Sequence, residues 1–216
     1  AWVTPVYDAA GNTVTIPQPT DLTQSYTGAY DAWSRLTAIA DPVTTDRLQF
    51  NEYDPRSFKT ATYTYADSTT ISTSHQYYSI QWRLLEERRD TAVTPCKQHV
   101  WGQRYIDDLI LRDLDDNADD TFDARLYGLQ DPHWSVITLI DSFATAQERY
   151  LYSPYGFPVV LNGAMSRIFK STRVSNNLFF TGQRLDKLSC LYLFRHRWFN
   201  SITGQFSTRD QRGYPD

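Results

Sequence analysis

The sequence predicts an all-β fold, and three observations carry that prediction. The first is composition: Tyr 15, Phe 11 and Trp 6, with 24 Thr, stand against four Lys and one Met. Aromatic residues and Thr suit the half-buried pleated surface of a strand, whereas Lys and Met favour helix. The second is recurrence. Tyr7-Asp8, Tyr30-Asp31 and Tyr53-Asp54 follow one another at 23-residue intervals, and a fixed period of 20–50 residues marks a repeat architecture. The third is period-two alternation, as in Thr13-Val14-Thr15-Ile16 and Thr60-Ala61-Thr62-Tyr63-Thr64-Tyr65.

Each repeat reads as a strand ending in Tyr, a turn, and a second strand. After the Tyr-Asp pair the copies continue to rhyme: Ala9-Ala10-Gly11-Asn12, then Ala32-Trp33-Ser34-Arg35-Leu36, then Pro55-Arg56-Ser57-Phe58. A fourth copy, Tyr78-Ser79-Ile80-Gln81-Trp82-Arg83-Leu84, starts 25 residues on and has lost its Asp but keeps the frame. The Asp-x-x-Gly/Ser stretch supplies turn chemistry, because Asp caps its own backbone and Gly tolerates positive φ. The recurring tyrosines read as a ladder of stacked core side chains.

From Trp101 the pattern loosens but stays β. Asp131-Pro132-His133-Trp134-Ser135 is a turn feeding the apolar strand Val136–Ile140, and Glu148–Gly156 is a strand closed by a Pro–Gly turn. Short helical turns are expected near 113–124 and 183–189. With no Gly/Ser/Pro-rich linker, the chain reads as one continuous unit in three segments: repeat hairpins over 1–100, continuing sheet with an acidic loop at 113–123 over 101–180, and a closing segment over 181–216.

The limits set by composition are broad. At 216 residues, 41% apolar and 21% charged, the chain is long enough for a real core and ordinary for a globular protein. Its longest uncharged apolar run falls short of the ~20 residues a spanning helix needs. A formal charge of −4 argues against nucleic acid as a partner. Cys96 and Cys190 are too few for a disulfide framework, and either one bridge or two buried thiols fits. The chain begins Ala-Trp-Val without initiator Met or signal-type stretch, so the expectation is a removed leader or a piece of something longer.

The Tyr-Asp repeats resemble the YD repeats of the Rhs family, the large bacterial wall-associated and toxin-carrying proteins that also resemble teneurins and insecticidal toxin-complex C proteins. The closing segment strengthens the likeness. Thr181-Gly182-Gln183-Arg184-Leu185-Asp186, Leu191-Tyr192-Leu193-Phe194-Arg195-His196-Arg197-Trp198-Phe199-Asn200 and Gly204-Gln205-Phe206-Ser207-Thr208-Arg209-Asp210-Gln211-Arg212-Gly213-Tyr214 look like the Rhs-associated core. That core typically reads T-G-R-x-x-D, G-L-Y-Y-Y-R-x-R-Y-Y-D and G-R-F-x-S-x-D-P-x-G. The similarity runs from about Tyr7 to Tyr214.

The resemblance implies antiparallel hairpins in a curved, spiralling sheet, a β-shell segment, with the core segment as a plug at one end and a variable effector beyond it. It also implies a self-cleaving core in several members, with the motif Asp and an upstream Arg involved. Asp210 and Arg197 stand at the matching separation, 13 residues, and are the candidate catalytic pair. Gln211, Tyr214, Asn200, Gln205 and Cys190 depart from the family's Pro, Leu, Asp, Arg and Gly, and cleavage after Tyr214 would have to break a bond to Pro215.

Other chemistry is sparser. Oxygen side chains at Asp113, Asp115, Asn117 and Asp119, followed by Asp123, resemble a D-x-[DN]-x-[DN]-G calcium loop and are the candidate metal ligands. Ala118 or Asp120 replaces the turn Gly, and a bidentate Glu is missing; the alternative is a solvated acidic hairpin tip. Cys96/His99 and Cys190/His196 lack zinc spacing. Asp131, His133 and Ser135 share one strand face and form no relay by spacing alone. Motifs for hydrolases and nucleotide binding are absent from the sequence. Trp33, Trp82, Trp101 and Trp134 are candidates for a sugar-binding surface, although Trp33 and Trp82 sit at repeat-locked positions expected to pack between strands.

The function expected is structural: part of an extracellular or cell-surface shell that encloses or displays an effector, with no cofactor other than a candidate calcium ion. The alternatives are a self-cleaving core that releases a downstream effector, and a calcium-dependent carbohydrate-binding surface module. Four recognisable repeats are too few to close a shell, so exposed strand edges require either flanking parts of a larger chain or other copies of this one.

Overall fold

The computed structural model describes residues 1–41, 48–55, 58–66, 69–167 and 174–210, with side chains at all of these except 48, 63–66 and 69–71. Arg56, Ser57, Gln211, Tyr214 and Pro215, which entered the sequence argument, lie outside the described residues.

The fold is all-β and built from antiparallel hairpins in which each strand follows its neighbour in sequence order. It divides into two compact units, Ala1–Thr73 with Asp186–Asp216, and Ser74–Leu185. The first unit holds β1 (Val6–Tyr7), β2 (Thr13–Gln18), β3 (Asp21–Tyr30), β4 (Leu36–Ala40), β5 (Leu48–Tyr53) and β6 (Lys59–Ala66). Strand β7 (Thr69–Tyr78) carries the chain across the boundary. The second unit continues with β8 (Leu84–Arg89), β9 (Lys97–Trp101), β10 (Leu109–Leu114), β11 (Ala124–Gln130), β12 (Val136–Ile140), β13 (Ala146–Tyr152), β14 (Pro158–Asn162) and the short β15 (Arg184–Leu185). Strands β16 (Tyr192–Phe194), β17 (Arg197–Asn200) and β18 (Gln205–Phe206) return to the first unit.

One turn recurs throughout. At Asp31, the backbone N–H bonds to Arg35 O (3.1 Å), Ser34 N–H bonds to Asp31 O (3.0 Å), and Asp31 Oδ1 accepts the N–H groups of Trp33 (2.9 Å) and Arg35 (3.0 Å). This is a three-residue hairpin loop, a type I turn followed by a left-handed residue, here Ser34 at φ 59°. The same closure forms at Asp8, Ser79, Asp131, Asp141, Ser153 and Asn162, and at each of these, as at Asp54, a side-chain oxygen accepts the N–H four residues on. Ser79 replaces Asp at no loss of the motif because its Oγ takes both Gln81 and Arg83 N–H groups. The repeat therefore continues past Trp101, where the sequence had read a loosening.

Tyr30, Tyr53 and Tyr152, each next to a turn residue, work through their hydroxyls rather than by ring stacking. Tyr30 donates to Thr13 O (2.9 Å), Tyr53 to Leu36 O (2.8 Å) and Tyr152 to Val136 O. Trp101 does the same with its indole N–H to Leu84 O (2.7 Å). Every acceptor is the fifth residue after a preceding turn residue, so each aromatic ties its repeat to the one before. The Arg of the Arg-Leu rhyme reaches the other way: Arg35 Nη1 bonds to Asp54 O (3.0 Å), and Arg83 Nη2 to Tyr105 O (3.0 Å). The Leu of the same pair is buried, Leu36 and Leu84 alike.

In the first unit the core gathers Ile16, Tyr26, Leu36 and Ile39 from the hairpins and Leu191, Leu193 and Trp198 from the returning segment. Burying each of these contributes roughly 1.5–3 kcal/mol, an upper figure against an extended reference chain. This packing is why the unit boundary falls at Asp186 and why 1–73 and 186 onward form one unit.

The helical turn expected at 113–124 is absent: β10 and β11 flank a loop in which Ala118 and Asp120 adopt positive φ. Asp115, Asp119 and Asp123 take the local N–H groups that a helix would use. Near 183–189 one turn does close, from Cys190 N–H to Asp186 O (2.9 Å), while Phe180–Gly182 forms a short 3-10 turn.

Candidate functional site

The feature of the second unit that sequence reasoning missed is a buried polar sheet face. Glu87 on β8, Lys97 and His99 on β9, Arg112 on β10 and Glu148 on β13 are all less than 9% exposed. Register places Glu87 opposite Lys97, and His99 opposite Arg112. Alternation along β9 puts Lys97 and His99 on this face and leaves Val100 exposed on the other.

Residues 174–185 lie over this face as a strap. Glu87 Oε1 accepts from Asn177 Nδ2 (2.6 Å), and Oε2 pairs with Arg184 Nη2 (2.8 Å). Lys97 Nζ stands 3.7 Å from Glu87 Oε1. Arg112 Nη1 donates to Asn176 Oδ1 (3.0 Å) and Ser175 O (3.3 Å), and Nη2 donates to Val174 O. Glu148 accepts from Tyr150 Oη (2.7 Å) and from Val174 N–H (3.3 Å). Backbone contacts complete the seam: Val136 N–H to Phe179 O (3.0 Å) and Thr181 N–H to Ser135 Oγ (3.1 Å). Tyr150 packs edge-on against Phe179 at 5.0 Å between centroids. At Gly182, φ is +69° and an added Cβ would stand 2.8 Å from Asp107 Cβ, so the strap's turn demands glycine.

Electrostatics follow from burial and pairing. Burial pushes the Glu87 pKa up, but Arg184, then Lys97, outweigh it and hold the carboxyl well below the usual range. Burial lowers His99 to about 3, with the cations Arg112, Lys97 and Arg184 adding to the effect against Glu87. Both His99 ring nitrogens and Arg112 Nε are buried without a hydrogen-bond partner. Burial raises Tyr78 to about 12. Isolated buried ions cost several kcal/mol each, and here the strap supplies much of the compensation.

The residues singled out from sequence fall as follows. Arg197 Nη2 lies 3.3 Å from Asp210 Oδ2, with the Arg197 guanidinium 3.9 Å from the Phe206 ring centre. The chain thus brings the candidate pair together, with the Asp210 side chain 42% exposed. In the acidic loop Asp113 turns to Arg125, in two bonds of 2.8 Å each. Asp115 accepts Ala118 and Asp120 N–H groups, Asp119 accepts Thr121, and Asp123 accepts Asp116 and Asn117 N–H groups and the Asn117 amide. Among the described residues, no three His, Cys, Asp or Glu side chains converge as a metal cluster. Cys96 and Cys190 are free thiols. Asp131 uses its carboxylate on His133 and Ser135 N–H groups, as a turn cap. Trp33 is 68% exposed, not packed between strands, and shares Arg35 with Tyr53 in cation–π contact. Trp134 stacks on Tyr105 at 5.1 Å under Arg104.

The fold of this chain is similar to that of solved toxin structures. A crystal structure of TcdB2-TccC3 matches 96% of this chain at a TM-score of 0.66 and 15% identity. The chain shares its fold. A TcdB2-TccC3-Cdc42 crystal structure matches 94% at 0.63, and the structure of a Photorhabdus luminescens Tc holotoxin pore matches 94% at 0.65, both at 15% identity. This chain spans only about a tenth of those chains, 9–10% of their length. No protein-family model and no curated protein matches it. At this identity the likeness establishes fold, and it agrees at that level with the toxin-complex resemblance read from the repeats.

A sequence signal for the strap did exist. Asn176-Asn177 directly precede the apolar run Leu178-Phe179-Phe180, and Lys97 and His99 alternate along one strand at positions where a core would be apolar.

Proposed function

We propose that the chain is a structural segment of a larger extracellular or cell-surface shell that encloses or displays an effector. The observation that supports this best is the hairpin sheet itself, which matches Tc toxin chains over 96% of its length while accounting for 10% of theirs. Sequential hairpins linked tyrosine to carbonyl and arginine to turn form a unit that can be extended by further repeats, each contacting only its neighbours. Among the described residues, no helix is long and apolar enough to cross a membrane.

Intact mass and electron microscopy of the protein from its native source test the reading. A chain several times 25.1 kDa, forming hollow particles, is expected. A native 25.1 kDa chain that stays monomeric refutes it.

A second reading has one observation behind it: Arg197 and Asp210, the two residues that the resemblance implicates in self-cleavage, stand 3.3 Å apart as an ion pair. A tagged extension beyond Asp216, processed in the parent and intact in Asp210→Asn, is the expected result. Equal behaviour of the two removes that reading.

A further inference from the structure

We propose that the strap over residues 174–185 is an acid-released latch, held on the sheet face of the second unit only while His99 is uncharged.

The argument begins with geometry. His99 is 5% exposed, and neither ring nitrogen has a hydrogen-bond partner. The groups that face it come from every element packed around it. Glu87 lies on β8, Lys97 and Trp101 on its own strand, Arg112 opposite it on β10, and Asn177 and Arg184 on the strap. Gln76 on β7 is paired with Glu87 in register, and Tyr78 ends the same strand. Three cations against one carboxylate therefore surround a ring that burial already keeps neutral. A proton placed on that ring meets Arg112, Lys97 and Arg184 with no acceptor to receive its N–H groups.

The strap is the part of this environment that can leave. Its hold on the sheet runs through polar bonds to Glu87, Arg112, Glu148 and Ser135 beside the packing of Phe179 on Tyr150, whereas the strands beneath are held by backbone ladders. Lifting it removes Arg184 from the site and admits water to His99. In the open state the imidazole regains an ordinary pKa near 6.5; in the closed state it lies near 3. The open state binds the extra proton, so acid favours it. Opening becomes roughly tenfold more favourable per pH unit between about 6.5 and 3. Glu87 acts in the same direction lower down: its depressed pKa stabilises the closed state above about 4.5, and that contribution is lost as pH falls further. The latch does not depend on the shell reading, since it rests on contacts within one unit.

Hydrogen exchange on the full chain, corrected for the intrinsic pH dependence of exchange, reads the latch directly. The Thr181 and Val136 amides span the strap and the sheet. Their protection is expected to fall about 100-fold from pH 6.5 to pH 4.5, while β12–β13 amides such as Leu139 and Arg149 hold theirs. In His99→Phe, which cannot protonate, the fall should shrink to less than threefold. Loss of equal size in His99→Phe, or no loss in the parent, overturns the proposal. Should His99→Phe fold poorly, the His99 ring resonance in the parent decides: titration near 6.5 with the strap still protected overturns it, and titration only as the strap opens supports it.

Discussion

Replacing Tyr53 by Phe deletes one oxygen and keeps the ring, so it isolates what the repeat tyrosine's hydroxyl does. That hydroxyl donates to Leu36 O at 2.8 Å and accepts the indole N–H of Trp198 at 3.1 Å. Leu36 O keeps a second donor, Asn51 Nδ2 at 3.0 Å, so the carbonyl is not orphaned. The indole N–H has no such reserve, because Trp198 is 1% exposed. A buried donor left without a partner costs about 1–3 kcal/mol, and the lost bond to Leu36 adds roughly 0.5–1. Together the expected destabilisation is about 1.5–4 kcal/mol. Tyr30→Phe is the internal control: its hydroxyl bonds Thr13 O at 2.9 Å, with Ser207 O at the margin at 3.5 Å. Only one good bond is lost, so about 0.5–1.5 kcal/mol is expected. Urea unfolding of both variants at neutral pH, with the m-value held constant as a check on the two-state treatment, gives the comparison. Equal costs, or Tyr53→Phe below about 0.5 kcal/mol, would refute the view that the hydroxyl couples the repeat to the returning segment.

Four further outcomes follow. Ser34→Gly should stabilise by about 0.5–1 kcal/mol in the same urea assay, because Ser34 occupies the left-handed region at φ 59° in a turn that Gly enters without strain. Asp115→Ala should destabilise by about 1–2 kcal/mol, since its buried carboxylate accepts Ala118 and Asp120 N–H groups at 2.7 and 3.2 Å. Millimolar calcium or a chelator should leave the parent's melting temperature unchanged, because that loop's acceptors are already engaged; a calcium-dependent rise would revive the ligand reading. Arg112→Met should cost about 3–5 kcal/mol and expose the strap to protease first, as it strips two carbonyls and Asn176 of their donor while Glu87 and Glu148 stay buried.

The turn residue and its period were legible in the sequence because both are local. A Tyr-Asp pair followed three places on by Gly or Ser states a loop type and a spacing in a handful of neighbours. The copies at Asp131 and Ser153 were read only as separate turns, since Gln130 and a Pro-Tyr-Gly loop disguise the frame, although the cap four residues on is the same. What the tyrosine does was not legible: its acceptor lies 17 residues back for Tyr30 and Tyr53, a distance set by hairpin length and strand register. The acidic run was visible as ligand chemistry, yet nothing in its spacing shows that Asp115, Asp119 and Asp123 close on the loop's own backbone while Asp113 turns to Arg125. Singling out Arg197 and Asp210 rested on the resemblance, and the structure places the two 3.3 Å apart.

The buried polar face explains why a strap of this composition is needed at all. An apolar sheet face accepts any apolar cover, since hydrophobic contact is not directional. A face carrying Glu87, Lys97, Arg112 and Glu148 tolerates only a cover that answers each group, because a buried charge without its partner is far more costly than an unfilled apolar contact. Asn176, Asn177 and Arg184 answer Arg112 and Glu87, and the backbone at Val174 and Ser175 answers the rest. Specificity is gained at the expense of strength, and His99 marks where the match is incomplete. A cover held by directional bonds to titratable groups is one that a change in protonation can lift while the ladders beneath remain intact.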